Sequence, residues 1–301
     1  MKNIAGMIML TVVFLTACGD LSAEDETNSE GSEQNTPQEK TEKNKDDQEK
    51  SKEEGKPDEE NAAEKKNQQD ESESSEEKPV ETLYQVDSET SSIVPVNEEA
   101  TEKAVLLTID DVPDSHALDM ARTLKDLNAG AIFFVNGHFL KSQLDKDVLK
   151  QIKKLGFEIG NHTDSHPFLP DLPREEQKNE IVTLSDEIED IIGERPKFFR
   201  APNGANTEYS KKVAENEGMV VMNWTYGYDY FEPYMDAEKL TEAMVTGKGP
   251  EVDVPHSLLK PGANLLMHDR EWTAAALEDI VAGLRDKGYK IADPKTIKTI
   301  D

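Results

Sequence analysis

Cysteine is almost missing from this 301-residue chain, which carries only Cys18. One thiol excludes an internal disulfide, so whatever folds here does so without a covalent staple. Positive charge is scarce as well. Lysine and arginine number 34 against 63 acids, for a formal net charge of −29. A nucleic-acid partner needs a basic surface to neutralise phosphates, so that class is excluded. Aromatics make up 6% of the chain and are absent from Asp20 to Pro79, where no large aliphatic residue follows Leu21. That stretch holds 22 acids and nine lysines. It cannot bury enough apolar surface to offset the entropy lost on ordering, and reads as a disordered acidic linker. A short piece such as "NAAEKKNQQDE" can instead form a solvated helix. Long hydrophobic runs are missing too. The run "IAGMIMLTVVFLTA" (4–17) is too short to span a bilayer comfortably.

What is there begins with that run. Lys2 precedes it, and the flanks fit a secretory signal. The following "LTAC" (15–18) resembles the lipobox of bacterial lipoproteins. The resemblance implies cleavage before Cys18 and a diacylglycerol on its thiol; an ordinary signal peptide with a stray cysteine is the alternative. The organisation expected is a signal peptide over 1–17, the acidic linker over 18–80, an N-terminal extension over 81–101 and a folded domain over 102–301. Lipid chains would hold the protein to the outer face of the cytoplasmic membrane of a bacterium, Gram-positive in type and hence extracellular. The linker then acts as a tether with a root-mean-square span of about 45 Å.

From Thr101 the pattern changes. "AVLLTID", "AIFFVN", "FEIGNH", "KFFRAP", "MVVMNW", "ANLLMH" and "YKIAD" read as strands, apolar along their length. Segments such as "SHALDMARTLKDLN", "KDVLKQIKKLG" and "REEQKNEIVTLSDEIEDIIGE" between them have helical spacing. Alternating apolar strands and helices predict an α/β fold with a parallel sheet covered by helices. About seven units in some 200 residues fit a distorted, nearly closed (β/α) barrel. A doubly wound open sheet is the rival, weakened because no glycine-rich phosphate loop follows the first strand.

Polar residues gather at the predicted strand ends: Asp110 and Asp111, Asn136, His162, Arg200, Asn223 and Trp224, and His268. In a β/α barrel the carboxyl ends of the strands meet on one face, where chemistry is built. Asp111, His162 and His166 could together bind a divalent metal, since two imidazoles and a carboxylate leave a coordination position open. Alone, the HxxxH spacing is equally at home in a polar loop. Consecutive acids cannot easily both reach one ion, so one is expected to ligate and the other to serve as base. His268 is the candidate acid for a departing amine.

These residues resemble the NodB-homology polysaccharide deacetylases, carbohydrate esterase family 4, over roughly 102 to 295. "TIDD" (108–111) resembles the first motif and implies Asp110 as general base and Asp111 as metal ligand. "HTDSH" (162–166) implies His162 and His166 as the other ligands. "RAPNG" (200–204) implies that Arg200 orients the catalytic aspartate. "WTYGYDY" (224–230) is a loose match to the fourth motif, which lines the groove and tunes the acid. "LMH" (266–268) implies His268 as the catalytic acid, with Asp229 or Asp269 supporting it. The family implies a distorted β/α barrel and metal-dependent N-deacetylation of N-acetylglucosamine polymers. The ion is expected to be zinc, with cobalt, nickel or manganese as alternatives, and the substrate a cell-wall glycan such as peptidoglycan.

Departures from the pattern are Val112, where the family has glycine, and Asn203, where it has tyrosine. Val112 is expected to narrow the site or alter its backbone, and Asn203 to keep an oxyanion-binding backbone N–H while losing an aromatic wall. They motivate an alternative, a weakly active or non-catalytic wall-binding lipoprotein; an esterase acting on O-acetyl groups is a third reading. Trp224, Tyr226, Tyr228 and Tyr230 are candidate sugar-stacking residues, with Trp224 and Tyr228 assigned to substrate; core packing is the alternative for Trp224. His116 reads as a helix-start residue rather than a ligand, His138 as a polar loop residue with a substrate contact as the alternative, and His256 receives no role. A monomer is expected.

Overall fold

The computed structural model describes residues 80–300. Cys18, the signal segment and all of the linker before residue 80 lie outside the described residues. The chain enters through a short antiparallel hairpin, β1 (Tyr84–Val86) and β2 (Ile93–Pro95). Then follow β3 (Ala104–Val112), α1 (Ala117–Asp126), β4 (Ile132–Val135), α2 (Gln143–Lys154), β5 (Glu158–Asn161) and α3 (Arg174–Ile192). After these come β6 (Phe198–Phe199), α4 (Glu208–Asn216), β7 (Val220–Val221), α5 (Ala237–Thr246), β8 (Ala263–His268), α6 (Glu271–Asp286) and β9 (Lys290–Ile291).

The sheet runs β7-β6-β5-β4-β3-β8, with β9 paired to the start of β3, and every pair is parallel. This is the expected distorted barrel of about seven strands, curled and left partly open. β7 and β8 do not pair directly. The chain leaving β7 crosses the opening instead: Met222 N–H donates to Phe199, while Thr225 N–H donates to Asn264 and Leu266 N–H to Tyr226.

Local chemistry sets the helix ends. Ser142 and Asp145 form a reciprocal capping box at the start of α2, as Thr207 and Ser210 do at α4. Gly193 and Gly247 close α3 and α5 at φ of 81° and 68°, a left-handed conformation that costs glycine nothing.

Strand alternation divides the core in two. Val105, Leu107, Ile109, Phe133 and Val135 face the helices, packing with Leu124, Leu149 and Leu277. The residues between them face the hollow of the barrel. There Ala104, Leu106, Ile132, Phe134, Phe198 and Met222 pack on Tyr84 and Ile93 of the hairpin. The segment read from sequence as an extension is therefore part of the folded body.

Candidate active site

The hollow face continues upward from Leu106, Phe134 and Phe198 into Asp110, His162, Arg200 and His268. Even-numbered residues face inward along these strands, so the ends of four of them, β3, β5, β6 and β8, deliver these side chains to one end of the hollow. Asp111 breaks the rule. Alternation would turn it toward the helices. Its φ of 61° and a register shift between Ile109 and Val112 rotate it to the cleft. Val112 then returns to the helix-side core, fully buried. Of the two effects expected of it, narrowing does not occur, since Val112 does not line the cleft; the backbone at this turn is irregular. Asp111 is one of seven described non-glycine residues with positive φ; Thr163 at 68°, His166 at 59° and Asn203 at 57° are three more. Each such residue costs on the order of 1–3 kcal/mol, and such strain collects where side-chain placement matters. Asparagine tolerates this conformation better than most residues, which suits it to position 203.

The predicted ligand set comes together. One donor atom from each of Asp111, His162 and His166 lies within 4.8 Å of the others. Donors about 2.1 Å from a shared ion sit no more than roughly 4.2 Å apart, so small side-chain rotations close the set. His162 Nδ1 lies 2.7 Å from the Arg200 carbonyl, which fixes the proton on that nitrogen and leaves Nε2 its lone pair. Burial pushes the His162 pKa below its ordinary value, against the raising effect of Asp110 and Asp111. Its donor pair therefore stays free to a lower pH.

Asp110 is buried beside that set. Its Oδ1 accepts from Arg200 Nη1 at 2.7 Å, and its Oδ2 lies 3.6 Å from His162 Nε2. Arg200 is fully buried, held over Phe134 at 4.4 Å, and burial lowers its pKa although Asp110 opposes this. Gly160 makes room for that stack: a Cβ there would lie 2.5 Å from the Phe134 ring. Breaking the buried pair by truncating Arg200 would strand the Asp110 charge, at a cost of about 3–5 kcal/mol.

Across the cleft, Asp229 Oδ1 holds His268 Nδ1 at 2.8 Å. Its Oδ2 accepts from His268 N and from Thr273 Oγ1. Asp269 is occupied elsewhere, accepting from the backbone of Asp114, Ser115 and His116 at the start of α1. The choice between the two acids thus falls on Asp229. Burial depresses the His268 pKa, but the Asp229 charge and hydrogen bond, aided by Asp110 and Asp111, outweigh it and leave the pKa raised. A group with a raised pKa keeps its proton to higher pH. Activity that needs this proton is present below that pKa and lost as pH rises through it. Asp229→Asn removes the largest raising influence, so the basic limb of a kcat/KM–pH profile is expected to move toward acid. An unmoved limb in that variant would separate His268 from the proton transfer.

Trp224 and Asn203 line the cleft, whose volume is about 460 Å³, together with Tyr230, Met235 and Trp272. Tyr228 does not. It is buried, its hydroxyl donates to the Gly247 carbonyl, and it packs against Tyr226 and Tyr234. Its assignment to substrate is corrected: it is a core residue, because the turn after Tyr226 aims it under α5. Tyr226, with its hydroxyl on the Met244 carbonyl, is likewise core. His138 borders a neighbouring hollow with Phe139 and His166.

Arg270 escaped sequence reasoning. Its Nη2 donates to Asp111 Oδ2 and its Nη1 to Asp114 Oδ2, both at 2.9 Å. It occupies the outer oxygen of Asp111 and leaves Oδ1 toward His166, 3.7 Å away. A lone arginine after "LMHD" carries no signal of that contact, and neither does Thr273.

The comparisons agree with this geometry. The polysaccharide deacetylase family model matches residues 97–222. An uncharacterised protein of Bacillus subtilis, YlxY, is 29% identical over 54% of this chain, which spans 46% of that protein. A peptidoglycan-N-acetylglucosamine deacetylase of Bacillus cereus is 30% identical over 63% of this chain and 85% of its own length. A crystal structure of a CE4 family pseudoenzyme from Bacillus anthracis superposes with a TM-score of 0.55 at 26% identity, over 64% of each chain. Architecture, cleft and relatives lead to one conclusion: this chain belongs to the polysaccharide deacetylase family.

Proposed function

We propose that the protein is a metal-dependent deacetylase that removes N-acetyl groups from N-acetylglucosamine residues of a cell-wall glycan, peptidoglycan foremost. One observation carries the reading. A buried, arginine-paired Asp110 adjoins three convergent donors, and an Asp229-held histidine shares their cleft. Asp111, His162 and His166 would hold the ion, zinc by its preference for imidazole and carboxylate donors, with cobalt, nickel or manganese able to replace it. A divalent cation bound there supplies Lewis-acid activation of water and of the acetamide carbonyl.

The chain's own residues do the rest. Asp110 takes a proton from the attacking water as the new C–O bond forms at the acetyl carbon. Arg200 fixes the carboxylate that receives it. The Asn203 backbone N–H is assigned to the carbonyl oxygen as charge develops there. His268 donates its proton to the amine as the C–N bond breaks, and acetate and a free amino sugar leave. Trp224 and Tyr230 offer ring faces to the sugar. We further assign the Cys18 lipid anchor and the acidic tether to reach this substrate from the outer face of the cytoplasmic membrane.

The full-length protein should release acetate from chitooligosaccharides and from purified peptidoglycan, and chelation should stop it. Acetate release from O-acetyl esters alone would favour the esterase reading. Tight wall binding with no acetate from any substrate would favour the non-catalytic one, which the pseudoenzyme among the similar structures keeps in view.

A further inference from the structure

The matched family region begins at residue 97, yet the hollow of the barrel is plugged from before it. Tyr84 and Ile93 of the hairpin are buried against Leu106, Phe134 and Phe198. Both ends of the hairpin are hydrogen-bonded to the body: Leu83 N–H donates to Thr296, Lys298 N–H to Tyr84, and Ile93 N–H to Gly262. The tip of the turn between the strands, Ser88 to Thr90, is exposed, but its last residues turn inward. Ser91, at its end, has a φ of 55° and is buried.

Ser91 touches two residues that in turn hold Arg200. Its Oγ accepts from Asn223 N at 2.9 Å, and its carbonyl accepts from Asn264 Nδ2 at 3.2 Å. The same Asn264 Nδ2 reaches the Asn223 carbonyl at 3.0 Å. That carbonyl accepts from Arg200 Nη2 at 2.8 Å, and Asn264 Oδ1 lies 3.4 Å from the same nitrogen. The other terminal nitrogen, Nη1, donates to Thr108 Oγ1 at 2.8 Å and to Asp110 at 2.7 Å. One face of the guanidinium is thus set by the catalytic aspartate and the other by groups the hairpin turn orders. Arg200 Nε has no partner among the described residues, so these contacts and the stack over Phe134 fix its rotation. Asn264 is fully buried, whereas Asn223 is partly exposed.

We propose that the β1–β2 hairpin belongs to the catalytic scaffold, with Ser91 and Asn264 as positioning residues that hold Arg200 and, through it, Asp110. The effect on rate rests on the deacetylase reading; the effect on Arg200 does not. A network of this kind is strongly coupled, and a displacement of about 1 Å at a catalytic group can cost up to 10²-fold in rate. Removing the Ser91 hydroxyl leaves the Asn223 N–H without its partner and loosens the backbone of the residue whose carbonyl anchors Arg200, leaving Asn264 alone to hold that carbonyl in place for Arg200.

The test uses the full-length protein carrying Ser91→Ala and, separately, Ser91→Gly. Glycine suits the left-handed turn, so it removes the hydroxyl without adding strain. Both should lower kcat about tenfold at unchanged KM, with melting close to wild type. In an Arg200→Lys background the same substitutions should have no further effect on kcat, because the residue they act through is gone. The Arg200 side-chain Nε–H resonance, assigned by its loss in Arg200→Lys, should shift in both variants whether or not the protein turns over. Unchanged kcat would overturn the proposal in an active enzyme, as would losses that add fully to that of Arg200→Lys. In a protein without deacetylase activity the resonance decides alone: an unmoved signal overturns the coupling, and a moved one sustains it while the functional reading fails.

Discussion

Replacing Asp110 by asparagine is expected to abolish detectable turnover, a fall on the order of 10²–10⁴-fold, while the protein keeps its ion. The expectation rests on what the side chain touches. Asp110 is not among the three convergent donors. Its oxygens face Arg200 and His162 instead, and it is buried with them. An amide of the same shape still accepts from Arg200 Nη1, so the stack over Phe134 has a partner. It cannot take a proton from water. The loss should therefore appear in kcat, with metal content by elemental analysis equal to that of the wild type. Turnover within threefold of wild type would show that the proton goes elsewhere. Loss of the ion together with activity would move Asp110 from base to ligand.

His166→Ala should produce a loss of similar size by another route. His166 is the most exposed of the three donors, and its ring packs edge-on to His162. Truncating it leaves the core intact, so melting of the metal-free protein should be close to wild type. Ion affinity should fall by more than the 10–100-fold typical of losing a supporting hydrogen bond, because a ligand itself is gone. Turnover should fall with it, and excess ion should restore part. That partial recovery distinguishes a ligand from a folding residue. Calorimetric titration of the stripped variant measures the affinity directly, and wild-type affinity would remove His166 from the set.

Much of this site was legible before any coordinates. Seven apolar stretches ending in polar residues imply strands whose carboxyl ends converge, and Asp110, Asp111, His162, Arg200 and His268 all lie at such ends. What alternation could not show is how two consecutive acids share one cleft. The answer is a left-handed Asp111 and a bulge, which depend on pairing between β3 and β4. Tyr228 misled because "WTYGYDY" reads as a string of exposed rings; tertiary packing under α5 decides which of them are buried. The strands β6, β7 and β9 shrink to two residues each, a length that apolar pattern does not reveal. The hairpin was invisible for a different reason. Two strands of three residues, with burial that only the barrel's hollow supplies, leave no periodicity to read. Arg270 and Ser91 act on residues far away in sequence, a relation no local pattern encodes.

The most direct measurement follows acetate release from a chitooligosaccharide as zinc is added back to the metal-stripped full-length protein. If Asp111, His162 and His166 share one ion beside Asp110, the rate rises from near zero and saturates at one equivalent. A rate that is already full in the stripped protein, and that added zinc leaves unchanged, would contradict the account.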